Sequence, residues 1–560
     1  MTGKRLVPGG EGESRGMKGD YALALLSGAM LGFSFPPFRL GLLACVGLVP
    51  LLVSLGRTTR LRRTLRLTYV AMLAFHVITL NWTGGYVHGN DPYMMIAGAV
   101  TMIVHPLFYF IPMGLYHGAR RWLGETPALV ALPFLWVGYE YSHTLSEWSF
   151  PWLTIGNSQS YDLARIQFIS ITGIWGLSLW ILIINVLTYV LYREVAAHRM
   201  TRRALALGGV ILVTGVLPDA AGLAILSGAP PAGEPGPGTP VTIGIVQSNV
   251  DPWEKWARSG SDLLALYGGL THDLVAAHGP KPDIVLWPET AITGFPLLPA
   301  SRPLLDGLRT MADTMHVGIL TGITHAVFYD DAARSPSSAR TVKATGEKYD
   351  AFNAAAFIQP HVERIDWYGK MKMVPLAERV PYAGMFAFLD FLRWGVGIGG
   401  WQIGPRQTVF HDSATGVSFS SLICYESTYP GFVASFVRKG ASFLALITID
   451  SWWGKMSGAY QHRQFAVFRA VENRRWIARC AVGGISCFID PYGRSYDDTE
   501  LFTRRTIARQ IAASSETTFY TRHGDWLGMC ALLAACMCAA AIAGRKFTNR
   551  TRQLSWTTSI

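Results

Sequence analysis

Apolar positions fall into two textures along the chain. Continuous apolar runs occupy about 21–36, 40–55, 67–86, 93–117, 127–142, 166–191 and 204–227, and a last one stands alone at 526–543. Several approach the ~20 residues that a helix needs to cross the hydrocarbon of a bilayer, so the pattern predicts seven membrane helices followed by an eighth. From 241 to about 518 the runs shorten. VTIGIVQSNV, DIVLWPE, HVGILTGIT, AFNAAAFI, VSFSSLICYE, FLALITID and WIARCAVGGISCFIDPYGR read as buried strands, and 261–277, 301–315 and 460–475 as amphipathic helices. This alternation predicts an α/β domain. Between the textures lies GAPPAGEPGPGTP, 228–240, whose five prolines and four glycines predict an extended linker without structure of its own.

The polar gaps between the apolar runs set an orientation. Lys and Arg collect in 1–19, 56–66, 118–126, 192–204 and 544–560, nineteen in all, whereas the alternate gaps hold only Arg39. Basic loops stay cytoplasmic, so both termini are expected inside and the α/β domain outside. The implied division is 1–19 cytoplasmic, 20–227 membrane helices, 228–240 linker, 241–520 outer catalytic domain, 524–544 last span and 545–560 cytoplasmic tail. The formal net charge of +12 resides in those basic segments, and the rest of the chain is net acidic. The charge is therefore topological and excludes a nucleic-acid footprint.

Cys45, Cys530, Cys536 and Cys538 lie in apolar runs. Cys480 and Cys487 have no second pair or histidines at ligand spacing, which argues against zinc, although a disulfide on the outer side stays open. Cys424 follows an apolar strand and precedes Tyr425 and Glu426. Glu289 closes DIVLWPE, either turning to solvent or acting as a desolvated base. Lys370 sits in WYGKMKMVPLAERVP with Lys372 and Arg379 as competing cations. Each alone has a bland reading. Together they supply a nucleophile, a base and a cation for an oxyanion, each at or just after a strand.

Their order, Glu289 in WPET, Lys370 in YGKMKMVPLAERVP and Cys424 in ICYES, resembles the Glu-Lys-Cys triad of the nitrilase superfamily, whose fold is an αββα sandwich. With membrane spans around that domain, and with FPWLTIGNSQS, GIVQSNVDPWEKW, VLWPETAITGFP and QHRQFAVFRAVENRRWIAR, nearly the full chain is similar to the apolipoprotein N-acyltransferases. The resemblance implies an enzyme of the bacterial inner membrane, its catalytic domain periplasmic. Its donor would be a glycerophospholipid, its intermediate a cysteine thioester and its acceptor the α-amine of a diacylglyceryl apolipoprotein, with no metal or cofactor. It implies Glu289 as general base, Cys424 as nucleophile and Lys370 as oxyanion partner, aided by the backbone N–H of Tyr425. Glu378 would hold Lys370 or the amine, or else form a loop salt bridge with Arg379 or Lys372. Glu426, Tyr425 and Trp287 carry over as neighbours, and Trp256 as a substrate-side tryptophan or an interfacial anchor. An amidase that uses water, or an acyltransferase for another amine, is the alternative. The chain departs from the family at Lys372, Ala377, Ile449, Val482 and Gly483, which bears on donor and acceptor preference. Residues 383–401 read as a lid or as ordinary core, and His76, His105 and Glu140 as groove lining or bundle interior.

Overall fold

The computed structural model describes residues 11–85, 91–198, 200–277, 279–330, 335–336, 339–375, 377–382 and 400–557. The expected lid falls almost wholly at 383–399, outside the described residues. The first part is helical: α1 (Glu11–Phe33), the short α2 (Val49–Gly56), α3 (Leu61–Leu80), α4 (Pro92–Val104), α5 (Phe110–Trp122), α6 (Glu125–His143), α7 (Ile174–His198) and α8 (Arg202–Ser227). Asp91 caps α4 by accepting from the N–H groups of Tyr93 and Met94, with Pro92 in the first turn. Thr201 caps α8 through the N–H of Ala204.

Among the described residues, four stretches are long and apolar enough to cross a bilayer: Pro92–Trp122, Ile174–Ala197, Arg202–Ser227 and Trp526–Asn549. The eight expected runs do not all reach that standard. The first turns of α1 carry Glu11, Glu13, Arg15, Lys18 and Asp20, and Asp20 is paired with Arg57 and Arg63. Likewise α3 opens with Arg62, Arg63 and Arg66, Gly41–Gly56 is short, and α6 holds Glu140 on a largely buried face.

The second part is two stacked sheets. Strands β1 (Thr239–Gln247), β2 (Ile284–Leu286), β3 (Gly318–Phe328), β4 (Arg340–Thr341), β5 (Lys348–Ile358), β6 (Asp366–Gly369) and β13 (Arg505–Ala513) form the first, in the order β13-β1-β2-β3-β5-β4 with β6 also on β5. Strands β7 (Phe410–His411), β8 (Ser418–Ile423), β9 (Phe443–Ile449), β10 (Ile477–Val482), β11 (Cys487–Ile489) and β12 (Ser495–Tyr496) form the second, in the order β12-β11-β10-β9-β8-β7. Strand alternation builds the layers. Ile243, Ile245, Ile284 and Leu286 face the second sheet, while Val285 and Trp287 face outward with Leu263, Tyr267 and Leu308. The outer residues lie under α9 (Gly260–Ala276) and α10 (Arg302–Met315). The second sheet is covered by α11 (Pro430–Arg438) and α12 (Ser457–Asn473), giving helix, sheet, sheet, helix. α13 (Trp526–Thr557) then returns to pack on α5 and α6.

The Pro/Gly segment forms no helix or strand before β1 begins at Thr239, but it is tethered to the sandwich: Trp476 Nε1 donates to the carbonyl of Pro235 at 2.9 Å, and Arg494 to that of Pro230 at 2.7 Å. Of the alternatives open for Cys480 and Cys487, the structure shows both as free, buried thiols. The two parts of the chain share one continuous apolar core. Gln461 on α12 fastens them: its Oε1 accepts from Trp82 (3.0 Å) and Trp152 (2.7 Å), and its Nε2 donates to the carbonyls of Pro36 (2.9 Å) and Thr79 (3.0 Å).

Candidate active site

Within each sheet three neighbouring strands run parallel, β1-β2-β3 in one and β8-β9-β10 in the other, and the candidate residues cluster at their carboxyl ends. Glu289 follows β2. Gly322 on β3 lets that turn come close, because a Cβ there would lie 2.3 Å from the carbonyl oxygen of Pro288 and 2.7 Å from Glu289 Cα. Lys370 immediately follows β6, and its N–H bonds to the carbonyl of Asn353 at 2.8 Å. Cys424 follows β8 directly and opens a short 3-10 turn, Cys424–Thr428, with φ of 53°. A non-glycine residue in the left-handed region costs energy and is held there by its surroundings, a feature typical of functional turns.

The side chains form one network. Lys370 Nζ lies 3.3 Å from Glu289 Oε1 and 2.7 Å from Glu378 Oε1. Asn353 Nδ2 donates to Glu289 Oε1 at 2.7 Å, and the N–H of Ile449 donates to Glu289 Oε2 at 3.1 Å. The second sheet thus helps to orient a carboxylate carried by the first. The second oxygen of Glu378 accepts from the N–H of Val374 at 2.8 Å. Burial pulls the Lys370 ammonium down, but the Glu289 and Glu378 carboxylates outweigh it and hold its pKa well above the ordinary lysine range. Burial pushes the Cys424 thiol up and Glu289 adds to this, while Lys370 acts the other way. The resting site therefore pairs a protonated thiol with a charged lysine. A thiolate forms only when a neighbouring base takes the proton.

Glu426 lies beneath this network. Fully buried, it accepts from Tyr368 Oη (2.5 Å), the N–H of Met371 (2.7 Å) and the N–H of Ile423 (2.8 Å), and so ties the Lys370 loop to the Cys424 turn. His462 on α12 bonds to the carbonyl of Cys424 at 3.1 Å and to Asp450 at 2.9 Å, and Asp450 is paired with Arg479 at 2.6 Å.

Cys424, Tyr425, Glu289, Glu378 and Asn353 line the head of an apolar cleft. Its walls include Trp256, Trp401 and Trp452, and it continues past Trp82 and Trp152 to Ala97, Val100, Thr101 and Val104 of α4. Tyr425 stacks on Trp152 at 6.4 Å and 13°, and its hydroxyl donates to the carbonyl of Ser149 at 3.0 Å. Trp256 lies 6.5 Å from Trp401, and its buried indole N–H has no partner among the described residues.

Of the residues singled out from sequence, Glu289, Lys370, Glu378, Cys424, Tyr425 and Trp256 are brought together at this cleft. Trp287 is not: it points to the outer layer, stacks on Tyr267 at 5.1 Å and donates to Thr271 at 2.9 Å, because strand alternation turns it away from the inner face. The polar groups at His76, His105 and Glu140 are hydrogen-bonded inside the helical part, and His105 also reaches the cleft. His76, His105 and His143 form a chain at 2.7 and 2.9 Å, and Glu140 accepts from Trp136 and the N–H of Ile155. Ile449 and Val482 pack with Met94, Trp401 and Trp452, so these departures extend the apolar wall. Sequence reasoning missed Asn353, whose signal is one amide in the otherwise apolar AFNAAAFI. It also missed the Asp450–His462–Arg479 group, whose members are contiguous only in space.

Comparison with known proteins places this geometry in a family. Residues 27–187 match the apolipoprotein N-acyltransferase N-terminal domain, and residues 242–519 match carbon-nitrogen hydrolase. The chain is 36% identical to the apolipoprotein N-acyltransferase of Chlorobaculum tepidum, over 95% of this chain and 98% of that one. It is 30% identical to that of Geobacter metallireducens over 94% and 96%, and 29% identical to that of Azotobacter vinelandii over 90% and 91%. A nitrilase-like sandwich built onto apolar helices, matched along nearly its whole length at these identities, makes this chain a member of the apolipoprotein N-acyltransferase family.

Proposed function

We propose that this enzyme moves an acyl chain from a membrane glycerophospholipid to Cys424 and then to the α-amine of the S-diacylglyceryl-cysteine that begins an apolipoprotein. The observation that carries this reading is the continuity of the cleft, which starts among apolar residues of α4 and ends at Cys424, Glu289 and Glu378. An acyl chain leaving the bilayer for such a cleft stays in apolar surroundings and forfeits little of the ~0.8 kcal/mol that each buried CH₂ contributes.

In the first half-reaction Glu289 takes the thiol proton and the sulfur attacks the ester carbonyl. The oxyanion is met by the Lys370 ammonium and the N–H of Tyr425. The ester C–O bond breaks, Glu289 returns the proton to the departing oxygen, and lysophospholipid leaves. In the second half-reaction the acceptor amine attacks the thioester, the C–S bond breaks and an amide forms. A thioester retains enough transfer potential for this step. Glu378 keeps Lys370 in place, and Trp256 offers its indole N–H toward bound substrate. The tryptophan-lined walls favour aminolysis because they exclude water. The same reading sets eight membrane passes in the inner membrane, both termini cytoplasmic and the sandwich periplasmic, in accord with the basic loops.

Intact-mass measurement after exposure to a defined phospholipid tests the proposal. The wild type should carry one acyl adduct on Cys424 and discharge it to a diacylglyceryl-cysteine peptide, and Cys424→Ala and Glu289→Gln should do neither. Continued N-acylation by Cys424→Ala refutes the assignment. Free fatty acid without N-acyl product identifies a hydrolase instead, and discharge to other amines alone identifies a different acceptor.

A further inference from the structure

The two half-reactions differ in proton balance. Loading exchanges an ester and a thiol for a thioester and an alcohol and releases no proton. Discharge starts from an acceptor that is an ammonium through most of the neutral range, since an α-amine titrates near ~7.7–8.0. Two N–H bonds break as the amide forms. One proton passes through Glu289 to the departing sulfur, re-forming the thiol, and the other must leave the cleft. Glu289 cannot hold both.

A second acceptor is buried beside it. Lys255, 1% exposed, sits in the short turn Lys255–Ala257 after β1. Its Nζ bonds to the Thr290 hydroxyl, and Thr290 lines the cleft next to Glu289. The groups facing the ammonium are Thr290, the Glu289 carboxylate and, at 5.2 Å, the Trp256 ring. Asp251 and Glu254, earlier on the same loop, are exposed to solvent. No aspartate or glutamate forms an ion pair with Lys255 among the described residues.

Resting on the transferase reading above, we propose that Lys255 takes up the proton released in amide formation, relayed through the Thr290 hydroxyl. The first N–H of the ammonium breaks toward Thr290 Oγ1 as the Thr290 O–H proton passes to the uncharged Lys255 amine. The resulting neutral amine attacks the thioester. After the product leaves, Lys255 returns the proton through the same hydroxyl to water refilling the cleft. Burial supports this role by holding Lys255 down to about 7 against the upward pull of Glu289, so an uncharged fraction exists at neutral pH.

The test separates the half-reactions in the full-length enzyme. Loading is followed by intact mass with a defined diacyl glycerophospholipid. Discharge is followed after adding a synthetic S-diacylglyceryl-cysteine peptide to the loaded enzyme. At pH 7, where roughly a tenth of an α-amine titrating near ~7.7–8.0 is already neutral, the ratio of discharge to loading rate should fall about 6- to 10-fold in Lys255→Met and in Thr290→Val. The ratio should recover as pH rises past ~8, where the amine arrives uncharged. Lys255→Arg keeps a cation that does not deprotonate and should behave like Lys255→Met. Restoration of discharge by arginine, an equal fall in both steps, or an unchanged ratio in Thr290→Val overturns the inference. If the loaded wild type forms no amide, it is the transferase reading that fails.

Discussion

Gly322 supplies the sharpest test of the site because it touches no substrate and carries no side chain. A methyl group there would lie 2.3 Å from the carbonyl oxygen of Pro288, 2.4 Å from the N–H nitrogen of Thr290 and 2.7 Å from Glu289 Cα. All three are backbone atoms, so no rotamer change relieves the contact. Ordinary contact begins near 3.4 Å, which requires the Glu289 turn to retreat by about 1 Å. Glu289 is held by donors at 2.7 Å (Asn353), 3.1 Å (Ile449) and 3.3 Å (Lys370), and a shift of that size breaks at least one of these bonds. Misplacement of a reacting group by ~1 Å costs about 100-fold in rate, and overpacking of this kind costs about 1–3 kcal/mol in stability. Gly322→Ala should therefore load Cys424 with acyl chain about 100-fold more slowly while remaining folded. Gly307→Ala is the control: its methyl meets only Leu264 Cδ2, the movable end of a side chain, and alanine favours the α10 helix by about 1 kcal/mol. The measurement is the rate of the intact-mass shift on Cys424, alongside a thermal melt. Loading by Gly322→Ala at the wild-type rate would refute the account of how Glu289 is positioned.

Three further outcomes follow from buried contacts. Asp450→Asn leaves Arg479 buried beside a neutral partner and should destabilise the sandwich by about 3–5 kcal/mol in a melt. Burial pushes Asp450 up, but Arg479 and His462 prevail and hold its carboxyl down at about 2, so its stabilisation is complete above the ordinary aspartate range and lost as pH falls through about 2; the wild-type melting temperature should drop across that window and the variant's should not. Gln461→Leu leaves two indole N–H groups and two carbonyls unpaired, each costing about 1–3 kcal/mol; a short water-soluble acyl ester should still load Cys424 while phospholipid does not, and equal loss of both would refute the cleft assignment. Lys370→Met should abolish loading and, by leaving Glu289 and Glu378 buried without their cation, lower the melting temperature at neutral pH relative to the wild type.

The residues legible in the sequence were those whose chemistry is written in one local segment. WPET, YGKMKMVPLAERVP and ICYES each place an ionisable or nucleophilic side chain just after a strand, and their order suffices to suggest a shared site. The supporting groups depend on pairing across strands. Asn353 acts because β5 and β6 are in register so that Ala354 faces Gly369, which places Lys370 beside it. β13 escaped notice because RTIARQIAA mixes arginines into a half-exposed strand, yet it pairs with β1 along nine residues. Trp287 was drawn to the site by its proximity to Glu289 in sequence, although the period of two sends it to the opposite layer. In the helical part, the apolar runs located helical chain but not its breaks, since 3-10 turns interrupt the runs at 40–55, 93–117 and 166–191, nor how much of each is free of charge, since charged residues enter the first turns of α1 and α3.

On the transferase reading, the choice between water and an amine as acceptor rests with the walls around the Glu289, Lys370 and Cys424 cluster. Those walls come from both parts of the chain: Trp256, Trp401 and Trp452 from the sandwich, and Trp82, Trp152 and the apolar face of α4 from the helices. The helical part therefore lines the candidate site together with the sandwich. Gln461 fixes Trp82 and Trp152 from within α12, the helix that also carries His462 to the carbonyl of Cys424. A change in the pose of the helices would thus reach Cys424 through two residues of one helix, adjacent in sequence. On the proposed reading, a sandwich separated from its helices would keep its triad but lose the surface proposed to admit a lipid chain and exclude water, and would be left with hydrolysis as its accessible chemistry.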